Sequence, residues 1–72
     1  MELQEILELL EEVMDIEEGV LAPETKLAEV DEWDSLSKLA LMAEVKKRVN
    51  RRLSTEEILN FKTVQDIIDY LQ

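Results

Sequence analysis

The sequence contains no cysteine and no histidine, and only one glycine, one proline and one residue each of Trp, Tyr and Phe. Without cysteine there is no disulfide framework, thiolate chemistry or cysteine zinc site. Without histidine the commonest general base and the commonest metal ligand are missing, and no grouping of carboxylates has the spacing of a metal site. With so little glycine and proline, no flexible linker or low-complexity tract interrupts the chain. No apolar run approaches the length of a membrane span. Met1 to Met14 is too acidic to resemble a targeting segment. The expectation is a cytoplasmic protein with no membrane partner. Its 72 residues make one domain, 1–72. A domain this small buries a modest core and has little material left to wall off a water-free catalytic pocket. The expectation is therefore not an enzyme.

The formal net charge is −10, which opposes binding to a phosphate backbone and argues against a nucleic-acid partner. Its distribution is uneven. Met1 to Asp34 carries net −12, Ser35 to Arg52 net +5, and Leu53 to Gln72 net −3.

Helical periodicity dominates. Leu3, Ile6, Leu7, Leu10, Val13 and Met14 recur at helical spacing among glutamates, and the helix frays near Ile16 to Gly19. A long connection, Ile16 to Trp33, follows. Its apolar residues, Val20, Leu21, Leu27, Val30 and Trp33, predict packing along the bundle, with a short turn at Pro23-Glu24-Thr25. A second helix starts at Asp34 or Ser35, either of which can cap it, and runs to Val49 or Asn50. Lys46, Lys47 and Arg48 fall in its last turns, where cations favour the negative end of the dipole. Ser54 with Glu57 forms a capping box that opens a short third helix. Thr63 with Asp66 does the same for a fourth, whose buried stripe is Val64, Ile67, Ile68 and Leu71. No segment alternates with strand period. The predicted fold is all-α: a small bundle of three main helices and one short helix, with a long loop between the first and second.

The second helix has more apolar residues than one buried face needs. Leu41, Met42, Val45 and Val49 form one stripe; Leu36, Leu39, Ala40 and Ala43 form another. Either the long connection covers the second stripe, or it is a docking face that begins at Asp34-Ser35-Leu36. Ser35 has no evident base and is a poor nucleophile for catalysis. A hydroxyl at a helix N-terminus is suited to holding a phosphate ester, because unpaired N–H groups and the positive dipole end favour an anion. The simpler alternative is that Asp34 and Ser35 only cap the helix.

Trp33-Asp34-Ser35-Leu36 after a long loop, Pro23 to Leu27 within that loop, and Thr63 to Tyr70 at the end together resemble the acyl carrier protein family. The resemblance covers essentially the whole chain. It implies that Ser35 is the attachment point of 4′-phosphopantetheine. It also implies that Asp34 is read by the modifying phosphopantetheinyl transferase, and that Leu36 contacts partners. Leu39 and Ala43 extend that partner-binding stripe. The implied function is an acyl carrier protein holding acyl or aminoacyl groups as thioesters on the arm. It would present them to a loading ligase and to acyl-transferring enzymes of a lipid, polyketide, peptide or polysaccharide-modifying pathway. Group-carrier cofactors bring the reactive atom, and the protein supplies positioning. The alternative is a non-covalent helical interaction module without a cofactor. A monomer is expected in either case.

The chain departs from the family pattern in three places, one of them Val49, which stands where an aromatic residue is often found near the end of the second helix. Trp33 precedes Asp-Ser-Leu where a small residue is common, and the helix after the serine, usually acidic, here bears Lys38, Lys46, Lys47 and Arg48. The departures leave the pathway open between housekeeping fatty-acid synthesis and a dedicated secondary or surface-polysaccharide pathway. The basic cluster, with Arg51 and Arg52, lies roughly 20 Å along the helix from Ser35, too far to hold the arm's own phosphate. It is expected to offset the acidic first helix, and Trp33 to plug the mouth of the bundle.

Overall fold

A computed structural model describes residues 2–72. Four α-helices follow in order: α1 (Leu3–Met14), α2 (Ser35–Val49), α3 (Thr55–Asn60) and α4 (Val64–Leu71). A 3-10 turn, Leu27–Glu29, lies within the connection between α1 and α2. Among the described residues there is no strand, and the one β-bridge joins Lys26 to Thr63. The fold is the expected all-α bundle. Among the described residues, no helix is long and apolar enough to cross a membrane.

α1 packs against both α2 and α4. Its buried row is Ile6, Leu9, Leu10 and Met14, which shifts the stripe expected from the sequence. Leu3 is exposed and Leu9 is fully buried, so the row that meets α2 and α4 lies a fraction of a turn from the one expected. α1 ends at Asp15, whose left-handed backbone directs its N–H to the carbonyls of Glu11 and Glu12. Each of these buried Leu and Ile side chains contributes about 1.5–3 kcal/mol.

The connection packs on the bundle through Leu21 and Leu27, which are buried, and Val30 and Trp33, which are half-buried against the core. Val20 was expected to join them and is exposed. The turn at Pro23 is closed by the Thr25 N–H on the Ala22 carbonyl. Three backbone bonds then tie this segment to the start of α4. The Leu27 N–H donates to the Lys62 carbonyl at 2.9 Å, the Val64 N–H to Thr25 at 3.0 Å and the Gln65 N–H to Pro23 at 2.8 Å. The last two satisfy N–H groups of the first turn of α4 that have no partner within the helix.

Both capping boxes form as expected, Ser54 with Glu57 and Thr63 with Asp66. Val64, Ile67, Ile68 and Leu71 are all buried. Leu53, between α2 and α3, completes the core.

Candidate functional site

The site begins with the question of which residue caps α2. Asp34 takes that position. Its backbone is extended and its Oδ1 accepts the Ser37 N–H at 2.9 Å. The bond supplies a partner for one N–H of the first turn and leaves Ser35 as the first helical residue, free of any capping duty. The Ser37 N–H chiefly holds the Asp34 carboxyl below the usual carboxylate range; desolvation opposes it, and the Ser37 hydroxyl and neighbouring N–H groups add smaller lowering effects. Asp34 is thus a carboxylate at neutral pH, at the helix end that favours negative charge.

The three serines then separate. Ser37 is buried at 6% exposure, and its hydroxyl donates to the Glu32 carbonyl. The Ser54 hydroxyl is engaged with Glu57 in its capping box. Ser35 is exposed, and among the described residues its Oγ has no hydrogen-bond partner. An exposed, unbonded hydroxyl at the positive end of a 15-residue helix can accept a phosphate ester without breaking any existing interaction.

Leu36 is 78% exposed and Leu39 62% exposed. Ala43, one turn further along, is exposed as well. The opposite side of α2 is buried through Ser37, Leu41 and Val45. The connection therefore does not cover the second apolar stripe, which faces outward in line with Ser35. Beside Ser35, a groove of about 260 Å³ runs between α2 and α3, lined by Lys38, Leu39, Met42, Thr55, Ile58 and Leu59. A second cavity of about 240 Å³ adjoins it, sharing Lys38, Ile58 and Leu59 and reaching Trp33, Phe61 and Lys62. Trp33 is half-buried against the core with the Lys38 ammonium 5.8 Å from its ring centre. The ring thus meets the core and also lines the second cavity, with a cation over one face.

Sequence reasoning missed Ser37, which ties the end of the connection to the first turn of α2 and so fixes the approach of Trp33 and Asp34. Its only sequence signal is its place three residues after a capping Asp. The α2–α3 groove was also missed, since it is made by residues from two helices with no shared local pattern.

At the basic end of α2, two arginines are engaged within the fold. Arg48 Nε lies 2.9 Å from Glu44, and its Nη2 lies 3.6 Å from Glu12 on α1. Arg51 donates to the Tyr70 carbonyl at 2.6 Å and stacks on the Tyr70 ring at 4.2 Å. Among the described residues no group of His, Cys, Asp or Glu could hold a metal ion.

Comparison with known proteins agrees with this geometry. Residues 4–71 match the family model described as "Phosphopantetheine attachment site". The chain is 28% identical over 67 residues to proteins named meromycolate extension acyl carrier protein from Mycobacterium leprae, Mycobacterium bovis and Mycobacterium tuberculosis. The match covers 93% of this chain and 58% of each relative, so the chain spans well under two thirds of their length. No solved structure matches the chain significantly. The chain belongs to the phosphopantetheine attachment site family, the family of covalent 4′-phosphopantetheine carriers to which acyl carrier proteins belong.

Proposed function

We propose that Ser35 bears the 4′-phosphopantetheine arm and that the chain, as one carrier domain over residues 1–72, works as an acyl carrier protein without catalytic chemistry of its own. The observation that carries this reading is the unbonded, exposed Ser35 hydroxyl directly after the capping Asp34. The other two serines have their hydroxyls committed to the fold.

In the attachment step, Ser35 Oγ forms a bond to the phosphorus of the pantetheine phosphate of coenzyme A. The bond from that phosphorus to the adenosine bisphosphate breaks, and the hydroxyl proton passes to a base of the phosphopantetheinyl transferase. The arm supplies a thiol on which acyl or aminoacyl groups are held as thioesters. The chain's own residues do the rest. Asp34 presents a carboxylate to the transferase and keeps Ser35 at the helix start. The dipole of α2 favours the phosphodiester. Leu36, Leu39 and Ala43 offer apolar contact to the loading ligase and acyl-transferring enzymes. The α2–α3 groove gives the start of a bound acyl chain an apolar wall. The name of the mycobacterial relatives, meromycolate extension acyl carrier protein, favours a lipid acyl group as cargo over an aminoacyl group.

The test is intact-mass analysis after incubation with coenzyme A, Mg²⁺ and a broad-specificity transferase. The native chain gains one phosphopantetheine and Ser35→Ala gains none. Modification of Ser35→Ala at another residue moves the attachment site away from Ser35, and no modification of the native chain with several transferases favours a non-covalent interaction module.

A further inference from the structure

The outward face of α2 changes character along its length. Leu36, Leu39 and Ala43 are exposed, and the next turn of the same face carries Lys46 and Lys47. No acid stands among them. The only acid of α2, Glu44, lies to the side, held by Arg48 at 2.9 Å, and Arg48 also reaches Glu12. Arg48 and Arg51 are therefore consumed within the fold. Lys46 makes a single exposed contact to Asn50 at 3.2 Å. Among the described residues the side chains of Lys47, and of Arg52 just beyond the helix, have no hydrogen bond or ion pair. A protein of net charge −10 thus keeps an unneutralised cationic end on the apolar outward strip of α2.

We infer that this strip is the contact surface for a partner protein with an apolar patch facing Leu36 to Ala43 and a carboxylate-rich patch facing Lys46 and Lys47. The inference rests on the carrier reading of Ser35, because such a partner must work on the arm. Leu36 and Lys47 are 11 residues apart, about 16 Å along the axis, so one docking surface can span both. The exposed leucines supply the contact energy. The lysines set the encounter rate and reject enzymes that present basic residues. A nucleic acid or an anionic membrane fits less well. Either extends past the strip onto a molecule whose first 34 residues carry net −12, whereas a protein's acidic patch can end where the strip ends.

A charge-swap cycle tests the inference. The phosphopantetheinylated chain is confirmed by intact mass. It is then loaded by an acyl transferase of the fatty-acid synthase type whose carrier-docking surface is basic, and by a variant of that enzyme with its docking Lys and Arg residues changed to Glu. At low salt the native chain is loaded about tenfold faster by the acid-surfaced enzyme. Lys46→Glu with Lys47→Glu reverses that order, and Lys46→Ala with Lys47→Ala falls between. All differences shrink toward unity at about 0.5 M salt. Circular dichroism checks that each variant is folded. Equal rates across the combinations, with the arm in place, overturn the inference and leave the carrier reading standing. A chain that gains no arm overturns both. Binding of the native chain to phosphatidylglycerol–phosphatidylcholine vesicles, lost in the double Glu variant, assigns the strip to a lipid surface and also overturns the inference.

Discussion

The Ser37 hydroxyl donates to the Glu32 carbonyl, which joins the last residues of the connection to the first turn of α2 across five positions of sequence. Asp34 accepts the N–H of the same Ser37. One buried serine therefore holds both sides of the segment that displays Ser35.

Ser37→Ala separates display from attachment. The variant should still gain phosphopantetheine, since its Ser35 is intact. It should lose about 1–3 kcal/mol of stability, the cost of leaving a part-buried carbonyl without its donor. Urea unfolding measures the loss, and intact mass confirms the modification. A loss of modification in a folded Ser37→Ala would move the attachment site.

The two apolar stripes of α2 should respond in opposite ways. Leu41 is fully buried, and Leu41→Ala should cost about 2–5 kcal/mol. Leu39→Asp changes an outward-facing residue and should stay within about 0.5 kcal/mol of the native chain, while slowing loading by acyl-handling enzymes. Thermal melts with a loading assay read both. A Leu39→Asp variant that unfolds would place Leu39 in the core.

Asp34 makes stability depend on pH with a definite sign. Its carboxyl is held below the ordinary range in the folded state, so the unfolded chain takes up the proton first as pH falls. The stabilisation is fully present above the unfolded value, about 4, and is lost as pH drops through the lower folded value. Relative to Asp34→Asn, the native chain should hold a constant advantage from pH 7 to about pH 5 and lose it below about pH 4. Urea midpoints across that range provide the comparison. A difference that is flat down to pH 2 would remove the charge from the capping account. At neutral pH the same variant should keep its helical content, yet be modified at Ser35 about tenfold more slowly or worse, if the transferase uses the carboxylate through a charged hydrogen bond.

Self-repulsion among the acids of the first 34 residues, net −12, should be relieved by salt. The melting temperature should rise between about 10 and 200 mM NaCl. The Arg48 bridges to Glu12 and Glu44 act in the other direction, but exposed pairs of this kind contribute about 0–1 kcal/mol and should not cancel the trend. A melting temperature that falls over that range would mean the bridges outweigh the repulsion.

The parts of this protein that could be read from sequence are those whose cause is local. Ser54 with Glu57 and Thr63 with Asp66 announce α3 and α4 because a capping box is complete within four residues. The start of α2 at Asp34 or Ser35 was legible too, but which of the two caps it was left open, because both residues can do so. Periodicity alone placed Leu3 in the buried stripe and passed over Leu9, because a glutamate-rich helix with so many leucines fits more than one facing. It also left the second stripe of α2 undecided, since apolar residues that wait for a partner have the same spacing as those that meet a core. The burial of Ser37, the bridge of Lys26 to Thr63 and the stacking of Arg51 on Tyr70 depend on residues distant in the chain or on tertiary packing, and no local pattern encodes them.

The bonds from Pro23, Thr25 and Leu27 to Lys62, Val64 and Gln65 bear on folding order. They close loops of 35 to 42 residues, and such closure is a slow, entropically costly event. The crossover supplies the acceptors for the N–H groups of Val64 and Gln65 in the first turn of α4, and it leads directly into Trp33 and Asp34. The two ends of the bundle therefore gain their structure in one cooperative step. The amides of Leu27 and Val64 should exchange with deuterium at matching rates, through opening of the whole domain. Loss of the crossover's docking should then loosen the first turn of α4 and the segment that displays Ser35 together.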